Sequence, residues 1–340
     1  MLRPKQSVEM RDVVARDGVC LHTRMESPPV EALSHEDRPL LVFCHGYSLD
    51  GRSWSFQRAA LVSRGYRVLT WDHRGHGTSG KGSSSNYTID QLGSDLASVL
   101  DQAAPDGPLA LIGHSMGGMA IMALADSHPH VVAERVVAVA FVSTSGGDMD
   151  KVDWGLGARL GRFVNSSGPR IATAAAPVQS VVKSAWDRMP WVGNTLVAAS
   201  SFGSKVPRPT AQLTQRMIVE TDLTVISDFA PTFADHDKTE ALHAFANIPG
   251  LVLVGDRDVL TPPERSAALA EHLPLTEHVV VSRGGHNIMM EHPELVTDHL
   301  LSLLKRAAQP SYAPVGRVRV KSIDIRPGRG RFALTLGSPQ

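Results

Sequence analysis

The sequence predicts an α/β protein: a mostly parallel, doubly wound sheet with a helical cap inserted after the sixth strand. Three observations carry this expectation. Short apolar runs alternate along the chain with helix-length amphipathic segments, the rhythm of a parallel sheet wrapped by helices. The runs are continuous rather than alternating, as in strands buried on both faces. Glycine- and histidine-rich clusters stand where the runs end, which is where open α/β sheets place their sites.

The elements follow in order. Residues 8–25 read as two strands joined at Asp17-Gly18, a good hairpin turn. A strand over 40–44 ends at His45-Gly46, one over 66–71 ends at Asp72, and one over 109–112 stops at Gly113. Further strands are expected over 136–142, 251–254 and 278–281, with helices near 53–64, 88–104, 116–128, 262–273 and 293–307. The interval 147–246 holds no strand candidate and has prolines at 177, 190, 207, 209 and 231. A structureless loop that long is foreign to a compact domain, so it reads as a cap, with 1–146 and 247–307 as the core. Residues 308–340 alternate Val with Arg or Lys within 316–321 and then run Pro327-Gly328-Arg329-Gly330-Arg331. A loosely docked tail is expected there, with an added edge strand as the alternative.

Composition excludes several classes. The 340 residues carry 34 Lys+Arg and 34 Asp+Glu, for a formal net charge of zero, so no field draws the chain to nucleic acid or anionic lipid. At 42% hydrophobic and 20% charged residues the chain can bury a full core. Cys20 and Cys44 are too few for a disulfide framework and lie in strand-like runs, so buried free thiols in a reducing compartment are expected. Met1 to Gln6 is basic but no apolar run follows, and no stretch reaches the ~18 residues of a membrane span. The expectation is a soluble, cytoplasmic protein with no integral membrane association.

The strongest chemical signal is Gly113-His114-Ser115-Met116-Gly117, between a strand and a helix. That turn holds a serine on a strained elbow with its hydroxyl exposed and a helix N-terminus behind it. A serine needs a base and an orienting acid. His286, on the glycine-led loop after the last strand, can swing to the elbow, whereas His292, just before Pro293, is expected to cap a helix or face solvent. Asp256 and Asp258 both follow the strand over 251–254; Asp258, further out on the loop, is preferred as the acid, with Asp256 binding a backbone amide. The backbone N–H groups of Tyr47 and Met116 would form the oxyanion hole. His45 reads as a structural hydrogen-bonding residue, and the turn from Asp72 to Gly80 as a loop-ordering one. The histidines at 73, 76 and 114 lack the spacing of metal ligands, so neither a metal nor a cofactor is implied.

Together these motifs resemble the α/β-hydrolase superfamily over about residues 8–307. They are His45-Gly46-Tyr47, Asp72-His73-Arg74-Gly75-His76-Gly77-Thr78-Ser79, Gly113-His114-Ser115-Met116-Gly117-Gly118, Gly255-Asp256-Arg257-Asp258 and Gly285-His286. The resemblance implies a Ser115–His286–Asp258 catalytic triad, no cofactor, and a cap after the sixth strand. Ser115 stands where dehalogenases and epoxide hydrolases of this superfamily have an aspartate. The stretch from His45 to Trp54, which includes Ser48, is similar to that of cofactor-free haloperoxidases, and the elbow to that of monoacylglycerol lipases. Three of the five tryptophans, Trp154, Trp186 and Trp191, lie in the cap interval with Phe163, Phe202, Phe229, Phe233 and Phe245. Such a lid favours an apolar acyl or aromatic substrate, with Ser48, Trp186 and Trp191 as candidate substrate contacts. The expected activity is carboxylic ester hydrolysis by a serine esterase. Thioester, lactone, amide or carbon–carbon hydrolysis and perhydrolysis use the same parts, and a non-catalytic ligand-binding protein on this scaffold is the alternative from another class.

Overall fold

The computed structural model describes residues 6–29, 38–147, 201–309 and 320–323. A hairpin of β1 (Ser7–Val14) and β2 (Cys20–Ser27) opens the chain. Its turn needs a left-handed residue, and Gly18 supplies it at φ +84°. Then come β3 (Leu40–Cys44), α1 (Ser55–Val62), β4 (Val68–Trp71), α2 (Ile89–Ala103), β5 (Leu109–His114), α3 (Met116–Ser127), α4 (Pro129–Arg135) and β6 (Val136–Val142). Within the cap interval lie α5 (Arg208–Glu220) and α6 (Leu223–Ala234), and beyond it come β7 (Gly250–Gly255), α7 (Pro263–Glu271), β8 (Thr276–Val281), the single turn α8 (Ile288–Glu291), α9 (Pro293–Ala307) and β9 (Val320–Ile323). Neither α4 nor α8 was expected from periodicity; both are too short to show one.

The sheet order is β1-β2-β4-β3-β5-β6-β7-β8-β9. β2 runs antiparallel to both β1 and β4, and every other pairing is parallel. The two-residue period of a strand explains why the central runs are apolar throughout. Leu40, Val42 and Cys44 of β3 join one buried cluster with Leu96 of α2 and Ile121 of α3, while Leu41 and Phe43 join another with Leu61 of α1 and Leu300 of α9. Each fully buried Leu or Phe contributes roughly 1.5–3 kcal/mol, so both faces must be covered. The tail supplies an edge strand, β9, parallel to β8.

On one face α3 is buried along nearly its whole length, and α2 crosses it at Gly93. A Cβ there would lie 2.6 Å from the Ala123 carbonyl carbon, which justifies a glycine mid-helix despite a propensity cost of about 1 kcal/mol.

After β6 the insertion is helical where described, and it returns to the sheet through a 3₁₀ turn, Glu240–Phe245, that seats Phe245 on Phe141 at 5.7 Å between ring centroids. Trp154, Phe163, Trp186 and Trp191 lie outside the described residues. Cys44 is buried, but Cys20 is exposed, contrary to the expectation that both thiols would be buried. β2 lies next to the edge strand β1, and over its first residues only alternate side chains, Leu21 and Thr23, are buried; Cys20, paired with Val14, is left exposed. No helix among the described residues is long and apolar enough to cross a membrane.

Candidate active site

Strand ends converge at one edge of the central sheet. β5 passes into α3 through a single residue, Ser115, at φ +51° and ψ −120°. Such a conformation costs a non-glycine residue of order 1–3 kcal/mol, so its surroundings must hold it. The Ser115 N–H donates to the Val142 carbonyl at 3.0 Å, and the Thr144 hydroxyl donates to the Ser115 carbonyl at 2.8 Å. Glycines permit the close approach: a Cβ on Gly113 would lie 2.5 Å from the Gly118 nitrogen, and one on Gly117 2.3 Å from the Cys44 carbonyl oxygen. The Ser115 hydroxyl makes no hydrogen bond among the described residues.

Across the β7 and β8 ends, His286 Nδ1–H donates to the Asp258 carboxylate, with Oδ1 at 3.0 Å and Oδ2 at 2.9 Å. Asp258 Oδ1 also accepts the N–H groups of Leu260 and Thr261, at 3.0 and 2.9 Å, and Oδ2 the Thr261 hydroxyl at 2.8 Å. Burial pushes the Asp258 carboxyl up, but the His286 charge and these donors outweigh it and hold the pKa below the usual value. Asp256 is exposed and instead accepts the Arg283 N–H at 2.6 Å, steadying a turn in which Arg283 has φ +63°. Thr261 went unnoticed in the sequence, although an Asp three residues before a Thr is a turn-capping pattern.

His114, next to Ser115 in the chain, links the two halves. Its Nε2–H donates to the His286 carbonyl at 3.0 Å, and the two rings lie 4.8 Å apart. Burial, helped by the His286 charge, lowers its pKa to about 3, so it is neutral. No hydrogen bond joins Ser115 to His286 directly; such contacts commonly tighten only when substrate is bound.

Above the elbow lies the turn after β3. The N–H groups of Tyr47 and Met116 have no acceptor among the described residues. The Ser48 N–H donates to His76 Nε2 at 3.1 Å, with Ser48 at φ +59°. His76 is fixed in turn by Nδ1–H donation to the Arg74 carbonyl at 3.0 Å. His45 donates from Nδ1 to the Gly46 carbonyl and accepts the His73 N–H at Nε2, both at 2.8 Å. All three rings are buried. Burial lowers the His76 pKa to about 4 and holds His45 and His73 well below the ordinary histidine value. This histidine layer shapes the turn, and among the described residues no group of three metal-ligating side chains is arranged to hold an ion.

The cap meets this turn from outside. The Tyr47 hydroxyl donates to the Ile226 carbonyl of α6, and its ring stands edge-on to Phe233 at 5.1 Å. Phe229 is buried with Met116 and Met119 of α3. His292 neither caps with its side chain nor faces solvent, as the sequence had suggested. Its ring is half-buried, with Nε2 3.7 Å from Glu291 Oε1.

A strained serine at a helix N-terminus, a carboxylate-oriented imidazole and two free amides are the parts of an acyl-transfer site. A family model for the alpha/beta hydrolase fold matches residues 39–293. The chain is 25% identical over 291 residues to a putative carbamate hydrolase, RutD, of Caulobacter sp. (strain K31), spanning 84% of this chain and 100% of that protein. It is 27% identical over 280 residues to the sn-1-specific diacylglycerol lipase ABHD11 of Mus musculus, spanning 78% of this chain and 81% of that one. Among solved structures, an esterase (EaEST) from Exiguobacterium antarcticum superposes with a TM-score of 0.66 at 19% identity, covering 87% of this chain and 100% of that chain; at that identity the likeness speaks to fold alone. The family model spans most of the chain, from the start of β3 to the start of α9, and this protein belongs to the α/β-hydrolase fold family.

Proposed function

We propose that the chain is a serine hydrolase that cleaves a carboxylic ester of medium apolar character through an acyl-enzyme. The observation that carries the reading is the Ser115 elbow, at φ +51°, joined through His114 to an imidazole already oriented by a buried carboxylate. Ser115 Oγ attacks the acyl carbon while His286 Nε2 takes the hydroxyl proton. The amides of Tyr47 and Met116 bind the oxyanion. Collapse of the tetrahedral intermediate breaks the carbon–oxygen bond, and the proton passes from His286 to the departing alcohol. Water then attacks the acyl-enzyme by the same steps, releasing the acid and restoring Ser115. Asp258 keeps the His286 proton on Nδ1 and stabilises the imidazolium.

Tyr47, Phe229 and Phe233 pack together beside Met116 of the elbow, which favours an apolar substrate, and the Ser48 hydroxyl would meet it at the turn. Trp186 and Trp191 stay candidates for the cap side of the site. Two of the relatives, named as a putative carbamate hydrolase and a diacylglycerol lipase, agree with acyl-group hydrolysis. The test is turnover of p-nitrophenyl butyrate together with labelling by a fluorophosphonate probe. Ser115→Ala should abolish both. Labelling at another residue, or a tenth of the turnover surviving in Ser115→Ala, would overturn the assignment.

A further inference from the structure

Glu291 carries a full set of acceptor bonds that the chemistry above does not use. Its carboxylate side chain is fully buried and stands one turn beyond His286. Oε2 accepts the Gly285 N–H at 2.7 Å and the Gly203 N–H at 3.1 Å. Oε1 accepts the N–H and the hydroxyl of Ser204, both at 2.5 Å. Gly285 immediately precedes His286, while Gly203 and Ser204 belong to the segment leading into cap helix α5. One carboxylate therefore binds the base loop and the cap at once.

Neighbouring contacts strengthen the junction. The Asn287 N–H donates to the Ser201 carbonyl at 2.8 Å, and Arg257 Nη1 donates to the Gly203 carbonyl at 2.7 Å. Backbones meet so closely that a Cβ on Gly285 would lie 2.3 Å from the Gly203 nitrogen. A buried carboxylate is costly unless donors surround it, and this one has four. Three of the four come from the cap side, so the carboxylate does more than close a turn within the core.

We propose that Glu291 is a positioning residue that joins the His286 loop to the cap, so that base and cap hold their places as one unit. This rests on the reading of His286 as the general base. The carboxylate form matters because each oxygen takes two donors. A carboxamide keeps one such oxygen and turns an NH₂ toward the other pair, donor against donor. The base loop would then shift against Asp258, and small displacements of a base cost up to about a hundredfold in rate.

The test compares Glu291→Gln, Ser204→Ala and Ser115→Ala in the full chain. For Glu291→Gln, kcat on p-nitrophenyl acetate should fall on the order of tenfold to a hundredfold with KM little changed. The low-field Nδ1–H proton resonance of the His286–Asp258 bond should broaden or vanish. Ser204→Ala removes one cap-side donor and should move both readouts the same way by less, which decides the matter if Glu291→Gln does not fold. Unchanged kcat and an unchanged resonance in folded variants would overturn the proposal, as would a rise in KM alone. If ester turnover survives Ser115→Ala, the hydrolase reading fails separately, and the resonance still reports on Glu291.

Discussion

Asp258→Asn isolates orientation from shape, because Asn is nearly isosteric. The N–H groups of Leu260 and Thr261 both point at Oδ1, at 3.0 and 2.9 Å, so the amide oxygen must take that place. The NH₂ then faces His286 Nδ1, where Oδ2 had stood at 2.9 Å. Two donors cannot share that contact, so the imidazole moves its proton to Nε2, the nitrogen that must accept from Ser115. Loss of the tautomer and of the imidazolium's counter-charge together cost up to about 10⁴ in kcat, or roughly 5.5 kcal/mol of barrier. Asp256→Asn is the control: its oxygen still accepts the Arg283 N–H, and its exposed position leaves His286 untouched. Steady-state kcat on p-nitrophenyl butyrate, with circular dichroism to confirm folding, checks both. If Asp258→Asn keeps more than a tenth of its kcat, or if Asp256→Asn is the inactive variant, the orientation argument is refuted.

Two further outcomes follow from the same geometry. Ser115→Gly should abolish turnover yet raise the urea-unfolding free energy by about 1 kcal/mol or more, because glycine adopts φ +51° without strain; an equal or lower stability would show that Ser115 is not strained. Burial keeps the His76 and His114 pKa values at about 4 and about 3, so the unfolded chain binds protons that the folded chain refuses. Their stabilisation is complete above the unfolded value near 6.5 and is lost as pH falls toward those folded values, by a few kcal/mol in total. Thermal midpoints should therefore drop between pH 7 and 5, and a midpoint flat across that range would contradict the neutral histidine layer.

Much of this arrangement is written locally in the sequence. β3 to β8 are legible because both sheet faces are covered, which makes their apolar runs continuous. The Ser115 elbow is legible because strand, glycines and helix are adjacent in the chain. Asp258 and Asp256 could be ranked by loop position alone, and the structure pairs Asp258 with His286 and gives Asp256 the Arg283 amide. Glu291 was invisible, since a charged residue reads as solvent-facing and its donors lie 87 and 88 residues away in the cap as well as nearby at Gly285. Cys20 was misplaced for a related reason: a strand-like run does not reveal which of its faces is left in water.

The neighbouring positions of β6 and β7 carry one more consequence. They pair residue for residue, Val139 with Gly250 through Val142 with Leu253, although the whole cap interval separates them in the chain. Closing a flexible loop of roughly 100 residues costs only about 2 kcal/mol more than closing one of ten, because the entropy grows with the logarithm of length. Lengthening or shortening the chain at this joint therefore barely disturbs the ladder on either side. The register of this ladder is set by β6 and β7 themselves, whatever length of chain runs between them.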